Sequence, residues 1–323
     1  MKTYPIKFEP ILREKIWGGS KLRTVLNKNT TQDNVGESWE ISGIEGHVSV
    51  VSKGAYKGLS IKSLIELYNH EFVGISNYRR FGNEFPLLIK FLDASQNLSI
   101  QVHPDDAIAK QEHNSFGKTE MWYVMDHDED AEIILGFKDK NADMDILRHV
   151  EKDNVYDVFN TEKVKKGDAF YIPAGKIHAI GAGVVIAEIQ QTSDITYRVY
   201  DWERTDSNGQ TRELHLSQSV KASKESSEES KKEFTVKTNR SSNVVACDYF
   251  TTNIFRVQNS FERNYANLDS FVILMCVSGI ATVTVNGITE VVSKGETILL
   301  PATTAETYFF AKQAEFLEVY ISE

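Results

Sequence analysis

Four side chains with metal-ligating chemistry stand at spacings that let them converge: Gln101, His103, Glu120 and His178. Gln101 and His103 alternate about Val102, and strand residues two apart point to one face roughly 7 Å apart at Cα, so both can reach a single ion. Glu120 lies on or beside the next strand-like run, in Gly117-Lys-Thr-Glu-Met-Trp-Tyr123, and His178 follows a Pro-x-Gly turn. A lone strand histidine is usually a hydrogen-bonded structural group. Two imidazoles with two oxygen ligands suit Zn2+, and equally Mn2+ or Fe2+. The remaining histidines, His47, His70, His113, His127, His149 and His215, stand singly in polar or helical contexts and read as surface or structural groups.

Three cations accompany this set. Lys118 is two residues before Glu120 and shares its face if the chain is extended. Lys90 sits inside Leu87-Leu-Ile-Lys-Phe-Leu92, where a charge is costly unless it is paired, lines a cavity or guards a sheet edge. Arg198, in Asp194-Ile-Thr-Tyr-Arg198, could bind an anion bidentately, stabilise a developing oxyanion, or form a salt bridge with Asp194 or Asp201.

The elements that must position these groups read as mainly β. Runs at Phe85–Phe91, Leu98–Val102, Met121–Val124, Ala131–Leu135, Val184–Ile189, Phe271–Val277 and Ala281–Val285 have strand composition, many bounded by Gly, Asn or Asp. Helical signals are few. Ser60 can cap a segment in which Ile61, Leu64, Ile65, Tyr68 and Phe72 recur near 3.6-residue spacing, and Asn141 can cap a second around Met144–Val150. A repeat organises the whole: Gly167-Asp-Ala-Phe-Tyr-Ile-Pro173-Ala-Gly175-Lys-Ile-His178 has a counterpart in Gly295-Glu-Thr-Ile-Leu-Leu-Pro301-Ala-Thr303-Thr-Ala-Glu306. Glu306 replaces the histidine in the second copy, which is therefore expected to be structural. The stretch 217–233 is poor in apolar residues and rich in charge, so an exposed connector is expected at 221–236, between a metal-binding domain at 1–220 and a degenerate copy at 237–323.

Composition bounds the partners. The 323 residues carry 36 Lys and Arg against 46 Asp and Glu, and a formal charge of −10 disfavours nucleic acid and anionic lipid. The first residues lack a secretory pattern, and no run approaches the ~20 apolar residues of a spanning helix, so a cytoplasmic protein is expected. Cys247 and Cys276 sit among apolar residues and read as buried thiols.

Polar-x-His with a later Glu, then Gly-x5-Pro-x-Gly-x2-His, resembles the pair of cupin motifs. More specifically, Gln101-Val-His-Pro-Asp-Asp106, Gly117-Lys-Thr-Glu-Met-Trp-Tyr123, Tyr171-Ile-Pro-Ala-Gly-Lys-Ile-His-Ala179 and Gln190-Gln-Thr-Ser-Asp-Ile-Thr-Tyr-Arg-Val-Tyr-Asp-Trp202 resemble the signatures of type I mannose-6-phosphate isomerases. Phe8-Glu-Pro-Ile-Leu-Arg-Glu-Lys-Ile-Trp-Gly-Gly19 and Gly36-Glu-Ser-Trp-Glu40 resemble the family's N-terminal elements, and the length is similar to its short bacterial class. The usual Gly after Asp-Trp is Glu203 here.

The resemblance implies two cupin-type jelly-roll barrels with a few helical decorations. It implies one Zn2+ per chain on Gln101, His103, Glu120 and His178, and an active-site Arg at Arg198. The implied reaction is aldose–ketose isomerisation of a small phosphorylated sugar by a monomer or weak homodimer. On that reading Lys118, Lys90 and Trp17 are candidate substrate-binding groups, and Trp17 and Trp39 could stack on a sugar face or pack in the core. The general base stays open among a metal-bound water, Glu40, Asp194 or a histidine. Two rivals remain: an iron oxygenase on the same scaffold and a non-catalytic sugar-phosphate-binding cupin.

Overall fold

The computed structural model describes residues 1–205, 208–224 and 228–322. Chain order gives β1 (Ile11–Gly19), β2 (Val35–Ile41), β3 (Leu87–Ala94), β4 (Ile100–Val102), β5 (Glu120–His127), β6 (Glu132–Phe137), β7 (Phe159–Lys163), β8 (Ala169–Ile172), β9 (His178–Ile180), β10 (Val184–Gln191) and β11 (Tyr197–Tyr200). There follow β12 (Ser242–Ala246), β13 (Thr251–Asn264), β14 (Val272–Val285), β15 (Ile288–Ser293), β16 (Thr297–Leu300) and β17 (Glu306–Tyr320). The described residues form three antiparallel sheets: β1-β2-β3-β10-β5-β8, β11-β4-β9-β6-β7, and β12-β13-β17-β14-β15 with β16 beside β14. The chain is mainly β, in keeping with the expected fold class.

Period-two alternation explains the layering. On β3, β5 and β10 the residues Leu92, Trp122, Val124, Val184 and Ile186 face one core with Leu135 and Ile180 of the second sheet. The alternate residues Ile89, Phe91, Met121, Tyr123, Val185, Ala187 and Ile189 face another core with Ile273, Met275, Leu317 and Val319 of the third sheet. The first sheet is therefore covered on both faces, which is why its strands read as near-continuous apolar runs. A third core, including Ile100, Val102, Ala179, Tyr197 and Val199, lies on the far side of the second sheet against Leu147, Val155 and Ala222. Gln101, His178 and Arg198 alternate with those residues, so the same periodicity turns them inward, between the two sheets.

The ends of the chain meet. Ile6 and Leu299 exchange both backbone hydrogen bonds at 2.9 Å, and Phe85 packs on Phe271 with ring centroids 4.9 Å apart. The sequence repeat is also a structural one. Gly167 and Gly295 have φ of 93° and 84°, each precedes a four-residue strand (β8, β16), and His178 and Glu306 each open the next strand (β9, β17).

Several local expectations change. Ser60 caps Ile61–Tyr68 by accepting from the Ser63 amide, but Asn69, at φ 50°, breaks the helix before Phe72. The second helical segment is a 3-10 turn at Met144–His149, capped by Asp143 rather than Asn141. The runs at 271–277 and 281–285 are one strand, β14, whose register slips around Ser278 and Gly279 as a bulge rather than a turn. Glu203 has φ 56°, the left-handed region that glycine adopts most easily, and here a glutamate adopts it.

Residues 225–227 of the expected connector, 206–207 of the first domain and Glu323 of the second lie outside the described residues. Within 221–236, Ala222 and Ser230 are buried, and the Ser230 carbonyl accepts from the Tyr171 amide. This part of the segment runs along β8 instead of standing clear of it. Both cysteines are free thiols, Cys276 buried and Cys247 half-buried. Among the described residues no helix is long and apolar enough to cross a membrane.

Candidate metal centre and cavity

Gln101 of β4 pairs directly with His178 of β9, and Glu120 opens β5 in the facing sheet. One ligand atom each of His103, Glu120 and His178 lies within 4.8 Å of the others, and all three residues are buried. Glu120 Oε1 is 3.3 Å from His178 Nε2, and Oε2 is 3.6 Å from His103 Nε2. Gln101 Nε2 is 3.4 Å from His178 Nε2, so the amide completes the cluster.

Each imidazole is oriented through its other nitrogen. His103 Nδ1 lies 2.8 Å from the Ile195 carbonyl, and His178 Nδ1 lies 2.8 Å from the Lys176 carbonyl. A carbonyl only accepts, so each Nδ1 carries the proton and each Nε2 turns a lone pair toward the cluster. Burial disfavours the imidazolium form, lowering His178 to about 3 and His103 well below its ordinary value, with Lys118 adding to the effect. Neutral imidazole is the form that binds metal.

Glu120 supplies the opposite need. Burial drives its carboxyl upward against the pull of Lys118. Lys118 Nζ lies 2.8 Å from Oε2, yet neither buried carboxylate oxygen accepts an aligned hydrogen bond. Two inward lone pairs, an amide and a buried, unsatisfied carboxylate form a donor set that fits a divalent cation.

Gln101 of this cluster, and Lys118 beside Glu120, line a cavity of about 150 Å³. Of the residues expected to bind substrate or act on it, Trp17, Lys90, Lys118 and Arg198 all line this cavity, as does Gln101. Lys90 is on the central strand β3 rather than at an edge, and its Nζ is 2.9 Å from Glu188 Oε2. Arg198 pairs with Gln101 across β11 and β4 and gives Nη1 to the Glu213 carbonyl at 2.7 Å, while its Nε is buried without a partner. The alternative, a salt bridge from Arg198 to Asp194 or Asp201, is not formed among the described residues. Asp201 is held instead by Arg204 and Arg212. Trp39 also lines the cavity, with its Nε1 donating to Glu37 at 2.8 Å.

Glu40 does not reach the cavity. It faces the other side of β2, buried against Lys28 at 2.6 Å, whereas Asp194 lines the cavity wall. Sequence reasoning missed Glu188, Glu37, Arg13, Lys15 and Arg212, all of them cavity residues. A charge inside an apolar strand singled out Lys90, and the same signal in Val184–Gln191 would have found its partner Glu188.

A family model described as phosphomannose isomerase type I, catalytic domain, matches residues 6–142, and one described as mannose-6-phosphate isomerase, cupin domain, matches 240–320. The chain is 41% identical to a mannose-6-phosphate isomerase of Bacillus subtilis over 68% of both chains. It is 44% identical to that of Streptococcus mutans over 67% of this chain and 66% of the relative. A further Bacillus subtilis relative is 36% identical over 94% of each chain. A crystal structure of mannose 6-phosphate isomerase from Bacillus subtilis superposes with a TM-score of 0.87 at 31% identity, covering 98% of this chain and 99% of that one.

Proposed function

The chain belongs to the mannose-6-phosphate isomerase family, and from that premise we propose that it interconverts mannose-6-phosphate and fructose-6-phosphate, using one zinc ion on Gln101, His103, Glu120 and His178. The observation that carries this reading is the convergence of two inward imidazoles and an unsatisfied buried carboxylate beside Gln101 and Lys118, both of which line a cation-rich cavity. When bound, the ion supplies a Lewis acid to the sugar oxygens at C1 and C2.

The chain's own groups divide the remaining work. The reaction moves a proton between C2 and C1 of the sugar and leaves an enediol between the two transfers. The carboxylates facing the cavity are Glu37, Glu188 and Asp194. Glu37 and Glu188 are each tied to a lysine, whereas Asp194 forms no ion pair among the described residues, which makes it the candidate proton carrier. Arg198 stands opposite the Gln101 backbone, at the reacting end, where its guanidinium can meet the negative charge that develops on the enediol oxygens. Lys118, Lys90 and Trp17 bind and orient the sugar from the walls.

Gln101 as a fourth protein ligand takes a position that an iron oxygenase would leave to oxygen. A sensor that only binds sugar phosphate has no use for an Arg oriented at the reacting end. We assign the protein to the cytoplasm, as a monomer or weak homodimer.

The test is a coupled assay for fructose-6-phosphate formation from mannose-6-phosphate, before and after chelation and with zinc restored. Loss on chelation and recovery with zinc is the expected result. Absence of turnover with every metal tried would favour a binding protein, and oxygen uptake with added Fe2+ would favour the oxygenase.

A further inference from the structure

Six cations line the cavity: Arg13, Lys15, Lys90, Lys118, Arg198 and Arg212. Four of them face acids at ion-pair distance: Lys15 with Glu37 at 3.3 Å, Lys90 with Glu188 at 2.9 Å, Lys118 with Glu120 at 2.8 Å and Arg212 with Asp201 at 2.5 Å. Arg198 is fastened by a backbone carbonyl. The Arg13 side chain forms neither an ion pair nor a hydrogen bond among the described residues. Its guanidinium lies 4.7 Å over the ring of Trp39, and that indole is buried and pinned by Glu37. Glu37 is the Cα partner of Arg13 across β1 and β2, yet its carboxylate serves Lys15 and Trp39 instead.

A cation held against an indole face keeps its position while its N–H groups stay free to donate to an anion. The guanidinium fork matches two oxygens of a phosphate. Its location also fits. Trp39 of β2, Lys90 of β3, Glu188 of β10 and Trp122 of β5 are successive partners across the first sheet, and Arg13 on β1 lies beyond that row, at the edge away from Glu120. The substrate reacts at C1 and C2 and carries its phosphate on C6, so its two ends need separate sites at opposite ends of one cavity.

We propose that Arg13 anchors the substrate's phosphate, with the sugar chain running past Lys90 and Glu188 to the reacting end at Glu120 and Arg198. The proposal rests on the isomerase reading for the identity of the substrate, and on the geometry alone for the anion site.

The experiment compares the parent protein with Arg13→Ala and with Arg13→Gln, which keeps most of the side chain's length and packing without its charge. Both variants are expected to raise KM for mannose-6-phosphate by about ten- to hundredfold, the span of one charge-assisted bidentate contact. The loss should fall mainly on KM rather than kcat, inhibition by inorganic phosphate should weaken in parallel, and Arg13→Lys should recover part of both. If Arg13→Ala does not fold, Arg13→Gln carries the same readouts. KM and phosphate inhibition within twofold of the parent would overturn the proposal. Should the parent itself fail to isomerise mannose-6-phosphate, the function reading falls, and calorimetric titration with inorganic phosphate still decides the anchor. Weaker binding by Arg13→Gln supports it, and equal binding refutes it.

Discussion

Gln101 and His178 sit directly opposite each other across the β4–β9 ladder, their amide and imidazole nitrogens 3.4 Å apart. Because backbone register sets this pair, truncating either side chain removes a candidate ligand without disturbing the sheet. His178→Ala and His103→Ala should each weaken metal binding by more than ~100-fold, since second-shell changes alone reach that size. Gln101→Ala, which removes a neutral amide, should cost about ten- to hundredfold. Metal content after dialysis against a graded chelator checks the order, and full retention by His178→Ala would exclude it as a ligand.

Arg198 and Asp194 should separate turnover from metal. Arg198→Ala is expected to lower kcat by about 10²–10³, the range for removing one preorganised donor to an oxyanion, and Asp194→Asn by about 10²–10⁴. Both variants should keep a full complement of metal. Arg198→Lys should rescue little, because a lysine lacks the planar fork. Steady-state kinetics with metal analysis on the same samples reads both quantities, and unchanged turnover in either variant removes that residue from the mechanism.

The Lys90–Glu188 pair makes stability depend on acid. Burial alone would raise the Glu188 carboxyl, but Lys90 and Lys118, with hydrogen bonds from Lys90 and Trp122, bring it from 4.5 down to about 2. A folded-state value below the unfolded one means the stabilisation is fully present above pH 4.5 and is lost as pH falls toward 2. Glu188→Gln should cost about 3–5 kcal/mol near neutral pH by leaving Lys90 poorly compensated. Urea unfolding of parent and variant at pH 7 and pH 3 should show the gap narrowing in acid. A constant gap would mean that the Glu188 carboxyl titrates alike in the folded and unfolded chain, and a gap that widens in acid would mean that it stays protonated in the fold.

Removing the chain after Ala222 should leave every candidate ligand in place and still fail. Phe85, Ile89, Met121, Tyr123 and Ile189 would lose the cover of Phe271, Ile273, Met275, Leu317 and Val319. An apolar face of that extent drives association. The expected result is aggregation in sedimentation or light scattering, whereas a soluble, active fragment would show the second half to be dispensable.

What the sequence made legible follows from how local the information is. Gln101 and His103 are two residues apart, and His178 stands at a fixed step from a Pro-x-Gly turn, so their convergence could be inferred from strand periodicity and turn chemistry. Lys90 and Glu188 are 98 residues apart and meet only because β3 and β10 are neighbours, an ordering that periodicity does not encode. Arg13 gave no signal, because an arginine on a half-exposed strand has nothing local to mark it. The break imagined between 277 and 281 fell on Ser278 and Gly279, residues that serve a bulge as well as a turn. Asp143 and Asn141 are equally good caps by type, and the choice between them is a matter of two residues of backbone.

The exchange of hydrogen bonds between Ile6 and Leu299 sets a clock on biosynthesis. At ribosomal rates of roughly 5–20 residues per second, the partner of Ile6 emerges about 15–60 s after Ile6 itself. Until then Ile6, fully buried in the finished protein, waits without Leu299, whereas Tyr4 and Phe8 can already meet Tyr56 and Val51. Contacts this distant in sequence slow folding through the entropy of closing the intervening chain. A circular permutant that brings the Ile6 and Leu299 segments close in sequence should shorten the wait of Ile6 for its partner.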